Sequence, residues 1–75
     1  MRDLDALDQE IRAAQAAGDA GRLMEIYHEL GRAELARDEE AGAFLLVQAL
    51  VYGLEAGRAE AEDIHKTLKT LGREE

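Results

Sequence analysis

Two histidine-containing motifs are the first candidates for chemistry in this chain. Glu25 and His28 stand three residues apart in one predicted helix, and Glu62 and His65 repeat that spacing in another. Di-iron carboxylate bundles carry such a Glu-x-x-His pair on each of two helices, completed by one Glu from each of the other two. At about 100° per residue, however, both glutamates point away from the apolar stripes of their helices. The pattern therefore favours solvated helix faces, with a di-iron site as a remote alternative.

Other catalytic constellations lack a required residue. The chain contains no Cys and no Ser, which excludes thiolate zinc sites, disulfides and Ser or Cys nucleophiles. His28-Glu29 begins like a zinc-protease helix, but Arg32 stands where the second histidine must be. The glycine-containing segment 18–21 is not followed by the Lys-Ser/Thr of a phosphate loop. We therefore predict that the protein is not an enzyme and uses no cofactor.

Glu34 is an acidic residue within an apolar arc, because it falls on the side of its predicted helix that also carries Tyr27 and Leu30. A buried carboxylate without a partner is costly. We expect Glu34 to lie at the edge of a helical hairpin. A structural ion pair with Arg37 or Arg12 is one alternative, and a catalytic or ligand-contacting acid is another.

Apolar periodicity predicts that helices position all of these residues. The composition is rich in Ala, Leu, Glu and Arg, and its strong helix breakers are glycines. Asp19 is a predicted N-cap, and the acidic run 38–40 suits the start of the next helix. The stripes and the glycines predict four helices, over about 4–18, 20–37, 39–56 and 59–71.

The third predicted helix differs from the others, since Gln48 and Glu55 are the only strongly polar side chains between Ala43 and Ala56. Apolar residues around nearly the whole circumference predict a central helix that its neighbours cover on most sides. In the alternative, four short helices are too few to cover it. An apolar patch would then stay exposed, formed by part of Phe44, Leu45, Val51 and Tyr52.

Charge limits the classes of partner. The chain has 75 residues, 17 acidic and 9 basic, with a net charge of −8. This charge repels phosphate backbones and anionic lipids, so we expect no nucleic-acid and no membrane partner. The longest uncharged run, 41–54, is shorter than a membrane span, and we expect a cytoplasmic protein. Most acidic residues fall near helix starts, where negative charge interacts favourably with the helix dipole. The alternative is that they form an acidic groove that binds a basic peptide.

The two halves of the chain resemble each other. The pattern of residues 23–32 recurs at 64–73, an offset of 41, and Ala17-Gly18 recurs as Ala56-Gly57, an offset of 39. Self-similarity at this period is typical of stacked helical hairpins. We predict one all-α domain over 1–75, with one hairpin at about 3–37 and a second at about 39–73.

Four segments, at 16–19, 42–46, 49–57 and 64–68, resemble degenerate tetratricopeptide repeats. The resemblance implies a right-handed arrangement of antiparallel helical hairpins and a binding or scaffolding surface without catalysis. A generic four-helix bundle is the alternative fold.

Together these observations predict a protein-interaction or assembly module whose partner is a protein or peptide, basic or apolar. We expect an apolar surface to provide affinity and an acidic rim to select partners by charge. The predicted apolar residues are Tyr27, Phe44, Val51 and Tyr52, and the predicted rim residues are Glu39, Glu40 and Glu55. A homodimer formed through the third helix is the alternative function.

Overall fold

The computed structural model describes residues 4–72, and the elements within this range are helices. They are α1 (Leu4–Ala17), α2 (Ala20–Leu35), α3 (Glu39–Glu55) and α4 (Glu60–Thr70). The predicted all-α class is confirmed, and the helix ends lie within two residues of the predicted ones. Over the described range, no helix has the length and apolar character needed to cross a membrane.

Two aspartates start the two central helices. The Asp19 carboxylate accepts a hydrogen bond from the Arg22 N–H at 3.0 Å, as expected of an N-cap. Asp38 accepts from the N–H groups of Glu40 and Ala41 at 3.1 and 3.2 Å. Both carboxylates satisfy N–H groups that have no partner within the helix, and they lie at the positive end of the helix dipole.

Glycines end α1 and α3 with the same geometry. Gly18 and Gly57 have φ angles of 66° and 67°, a left-handed conformation that favours glycine. Each is followed by a residue whose N–H donates to the carbonyl five residues earlier, Asp19 to Ala14 and Arg58 to Gly53, both at 2.9 Å. These are Schellman motifs.

The other repeated glycine behaves differently. Gly31 is buried inside α2, whereas Gly72, its counterpart by sequence offset, follows α4 with a φ of 77°. The pairing of helices into two equivalent hairpins and their right-handed arrangement remain predictions, as does the bundle alternative.

Consecutive helices pack on one another, and the most extensive contact joins α2 and α3. Glycines let these two helices approach closely: a Cβ on Gly31 would lie 2.8 Å from the Leu46 side chain, and a Cβ on Gly42 would lie 2.7 Å from the Leu35 backbone nitrogen. The largest fully buried side chains come from three helices, α2, α3 and α4. They are Met24, Ile26, Leu46, Ile64 and Leu68.

The fold is thin, with Cα atoms spanning 32 × 28 × 13 Å. The Cα cylinder of a helix is about 4.6 Å wide, and the axes of two packed helices are about 8–10 Å apart. Two packed helices therefore span about 13–15 Å, which is the whole thickness of the fold. The fold therefore holds no more than two helix layers, and one side of α3 stays open. Most positions of α3 between 41 and 53 are buried or partly buried, but Phe44 and Val51 on its open side are exposed, as the alternative expectation described.

Candidate functional site

A line of apolar side chains runs along the open side of α3. Phe44, Val51 and Leu54 are 64%, 53% and 67% exposed, and Val47 between them is partly buried. Steps of three, four and three residues place all four side chains on one side of a helix. We call Phe44, Val47, Val51 and Leu54 the α3 face. Large apolar side chains exposed in a contiguous row mark interaction sites on soluble proteins.

A concave region adjoins each end of the α3 face. At the Leu54 end, a groove of about 520 Å³ separates α3 from α4. It is lined by Leu50, Leu54, Arg58, Ala59, Ala61, Glu62 and His65. At the Phe44 end, a depression of about 470 Å³ lies where α2 meets α3. It is lined by Glu34, Asp38, Glu40, Ala41, Phe44 and Leu45.

Carboxylates lie at both ends of the α3 face. The predicted rim residues Glu39, Glu40 and Glu55 are exposed, and Glu40 continues the α3 face one turn before Phe44. Among residues 4–72, no cation forms an ion pair with Glu40, Glu55 or Glu62. The surface around the α3 face is therefore negative, most of all at its Phe44 end.

Glu34 lies at the end of α2 and lines the depression beside Phe44. Its side chain is partly buried, and Oε1 lies 4.0 Å from Arg37 Nε, one of the two arginines predicted as partners. This distance is the outer limit of an ion pair, so the expected edge position describes Glu34 better than a tight structural pair does.

The tyrosines predicted for the binding surface lie elsewhere. Tyr27 and Tyr52 stack on each other across the α2–α3 contact, with ring centroids 5.7 Å apart and an interplanar angle of 15°. Both are partly buried and pack against the core cluster. Each residue turns a helix by about 100°, so Tyr52 is directed about 100° away from Val51 and about 160° away from Leu54 around the helix axis. Their main contact in the fold is therefore with each other and with the core.

Two residues of the α3 face, Val47 and Leu54, were not among the predicted contact residues. The signal that identifies them is the regular spacing from Phe44 through Val51. That spacing is visible in the sequence, but apolar residues on the other sides of α3 conceal it.

A second group of carboxylates is bound by arginines near the start of α4. Arg58 Nη2 donates to Glu25 at 3.0 Å and to Glu60 at 2.9 Å, and Arg22 Nη1 donates to Glu25 at 3.2 Å. Arg22 also pairs with Glu10. The cluster links α1, α2 and the start of α4.

The hydrogen bond from Arg58, followed by the one from Arg22, lowers the pKa of Glu25. The hydrogen bond from Arg58 likewise lowers the pKa of Glu60. Both carboxylates are therefore held in their charged form by the arginines.

The structure places the two Glu-x-x-His pairs in different grooves. Glu25 and His28 line a groove between α2 and α4, whereas Glu62 and His65 line the groove beside Leu54. Burial, followed by the charge of Arg32, lowers the pKa of His28. Within residues 4–72, no three His, Asp or Glu side chains are grouped closely enough to hold a metal ion.

The arginine cluster predicts a dependence of stability on pH. Because the folded-state pKa values of Glu25 and Glu60 lie below their ordinary 4.5, their stabilising contribution is complete above that value. It is lost as the pH falls through the folded-state pKa. In Arg58→Gln, we expect the carbon-detected NMR titration midpoints of both glutamates to rise towards 4.5.

The matched control for this titration is Arg12→Gln, which removes an exposed arginine paired with Asp8 on α1. It should leave the midpoints of Glu25 and Glu60 unchanged. Midpoints that do not move in Arg58→Gln would show that Arg58 does not stabilise these two carboxylates.

Comparison with protein-family models, curated protein sequences and solved structures finds no match to this chain. The resemblance to tetratricopeptide repeats remains a prediction from the sequence.

Proposed function

We propose that this chain is a non-catalytic protein-interaction or assembly module that binds its partner along the α3 face, as a tetratricopeptide-like helical surface would. One observation carries the proposal: three large apolar side chains in one line on α3 are more than half exposed. Isolated exposed apolar residues are common on protein surfaces, but a contiguous row beside two concavities is typical of a binding site.

The energy available from this row sets a limit on the affinity. Fully burying a Phe, Val or Leu side chain contributes about 1.5–3 kcal/mol, so the exposed fractions of Phe44, Val51 and Leu54 offer on the order of 3–5 kcal/mol in total. This corresponds to a dissociation constant near 1 mM before the cost of association is subtracted. A useful affinity therefore requires further contacts, which the two adjoining concavities and the acidic rim supply.

A homodimer through α3 is the second candidate, because the α3 face is self-complementary when two copies run antiparallel. Phe44 of one copy would then lie opposite Leu54 of the other, and Val47 opposite Val51, about a two-fold axis near Ala49. Such an interface is isologous, because the α3 face of each copy is buried against the α3 face of the other.

Site-specific photo-crosslinking tests the proposed function. A photoreactive amino acid at Val51 should give a discrete adduct with another protein in an extract of the source cells, and adding Phe44→Ala should reduce its yield. The same group at Glu29, an exposed position on α2, is the control. An adduct of twice the chain mass supports the homodimer, and no adduct at Val51 contradicts both functions.

A further inference from the structure

We propose that the occupant of the α3 face is an amphipathic helix of another protein that carries Lys or Arg beside its apolar stripe. This inference rests on the proposed function and specifies the chemistry of the partner. Its basis is the charge distribution around the apolar row.

The shape of the α3 face fits a helix. Phe44 and Leu54 are ten residues apart, which is about 15 Å along a helix axis. The spacing of three, four and three residues is that of a helix seam, so the complementary element is another helix of about three turns with the same spacing. Val47 and Val51 lie between these two larger side chains. They leave a shallow depression at the centre of the α3 face, in which the partner helix can pack.

The charge at the Phe44 end selects for a cationic helix. Glu34, Asp38 and Glu40 line the depression beside Phe44. Glu34 lies 4.0 Å from Arg37 and Asp38 caps α3, whereas Glu40, one turn before Phe44, has no ion-pair partner among residues 4–72. A neutral or acidic helix over this end would remove the carboxylates from water without offering a positive charge, which is unfavourable. Lys or Arg side chains at the same place would form charge-assisted hydrogen bonds with them.

The Leu54 end is less selective because its charges are mixed. Arg58, Glu62 and His65 all line the groove there. Because the guanidinium of Arg58 also donates to Glu25 and Glu60, it offers little charge to a further carboxylate, but it makes the Leu54 end less negative than the Phe44 end. We therefore expect the cationic side chains of the partner to lie over the Phe44 end.

A second copy of the chain fits this charge pattern less well. Antiparallel pairing brings Glu40 of one copy towards the Arg58 region of the other, where the guanidinium already binds two carboxylates. Each copy also adds a net charge of −8. Repulsion between the two copies opposes the apolar contact.

Titration of the full chain with three synthetic helical peptides tests the inference. All three share the same leucine seam, and their flanking positions carry Lys and Arg, Gln, or Glu. We expect the cationic peptide to bind at least about tenfold more tightly than the Glu peptide, with an affinity that falls as salt is added.

Variants locate the site of binding. Phe44→Ala should weaken binding of the cationic and the neutral peptide by about tenfold or more, because Phe44 is the largest exposed anchor. Glu40→Gln should weaken binding of the cationic peptide alone, by about two- to fivefold. Glu29→Gln changes the net charge equally but lies in the α2–α4 groove, and should leave all affinities unchanged.

The outcomes separate the inference from the proposed function. Equal affinity for the Lys/Arg and Glu peptides, still sensitive to Phe44→Ala, overturns the charge inference and leaves the α3 face as a binding site. Peptide binding that is insensitive to Phe44→Ala overturns both. A dimer in sedimentation that Leu54→Asp dissociates shows that the occupant is a second copy. Failure of all three peptides to bind a monomeric chain overturns the cationic-helix inference.

Discussion

Leu46→Ala is expected to lower the free energy of unfolding by about 2–5 kcal/mol. Leu46 lies in the middle of α3, is 1% exposed and packs in the cluster with Met24, Ile64 and Leu68. Truncation to alanine removes buried methyl groups and leaves a cavity that the closely packed α2–α3 contact closes only in part. Stability of 0.05–0.15 kcal/mol per residue gives this chain about 4–11 kcal/mol, so the variant loses a large share.

Urea denaturation followed by circular dichroism measures this effect, and Leu54→Ala provides a matched control on the same helix. Leu54 is 67% exposed, so the same chemical change should alter the free energy of unfolding by no more than about 0.5 kcal/mol. Equal losses in the two variants would contradict the assignment of an inner and an outer side to α3. A large loss in Leu54→Ala that depends on protein concentration would indicate that a second copy covers the α3 face.

Gly42→Ala is expected to destabilise the fold, although alanine is the better helix former. A Cβ at this position would lie 2.7 Å from the Leu35 backbone nitrogen and 2.8 Å from the Leu35 Cα. Because both atoms belong to the backbone of α2, the two helices must move apart. Overpacking of this kind costs about 1–3 kcal/mol, and the propensity of alanine offsets about 1 kcal/mol of it. We expect a net loss of up to about 2 kcal/mol in the same denaturation experiment.

Gly21→Ala is the control for Gly42→Ala, because Gly21 is also a glycine inside a helix. The atom nearest to a Cβ at Gly21 is Nη1 of Arg58, at 3.0 Å, the end of a flexible side chain that can shift. We expect a gain of a few tenths to about 1 kcal/mol. A stabilised Gly42→Ala variant would mean that α2 and α3 do not approach as closely as described.

The candidate site was predicted in part. Phe44 and Val51 were predicted as contact residues and lie exposed on the α3 face, and Glu40 lies on the same line. Tyr27 and Tyr52 were predicted beside them but stack on each other at the α2–α3 contact. In a helix that is apolar on every side, several regularly spaced stripes coexist, and local sequence does not show which of them the neighbours leave exposed. Leu54 was missed for the same reason.

The sequence by itself determined the helices and their ends. Apolar periodicity, the Asp19 cap and the chain reversals at Gly18 and Gly57 are local properties, in which each hydrogen bond joins residues close together along the chain. Tertiary structure alone decided which side of α3 stays open, where the two Glu-x-x-His pairs lie, and that Gly42 contacts Leu35. These features depend on the separation and orientation of whole helices, which the sum of many weak contacts between distant residues sets.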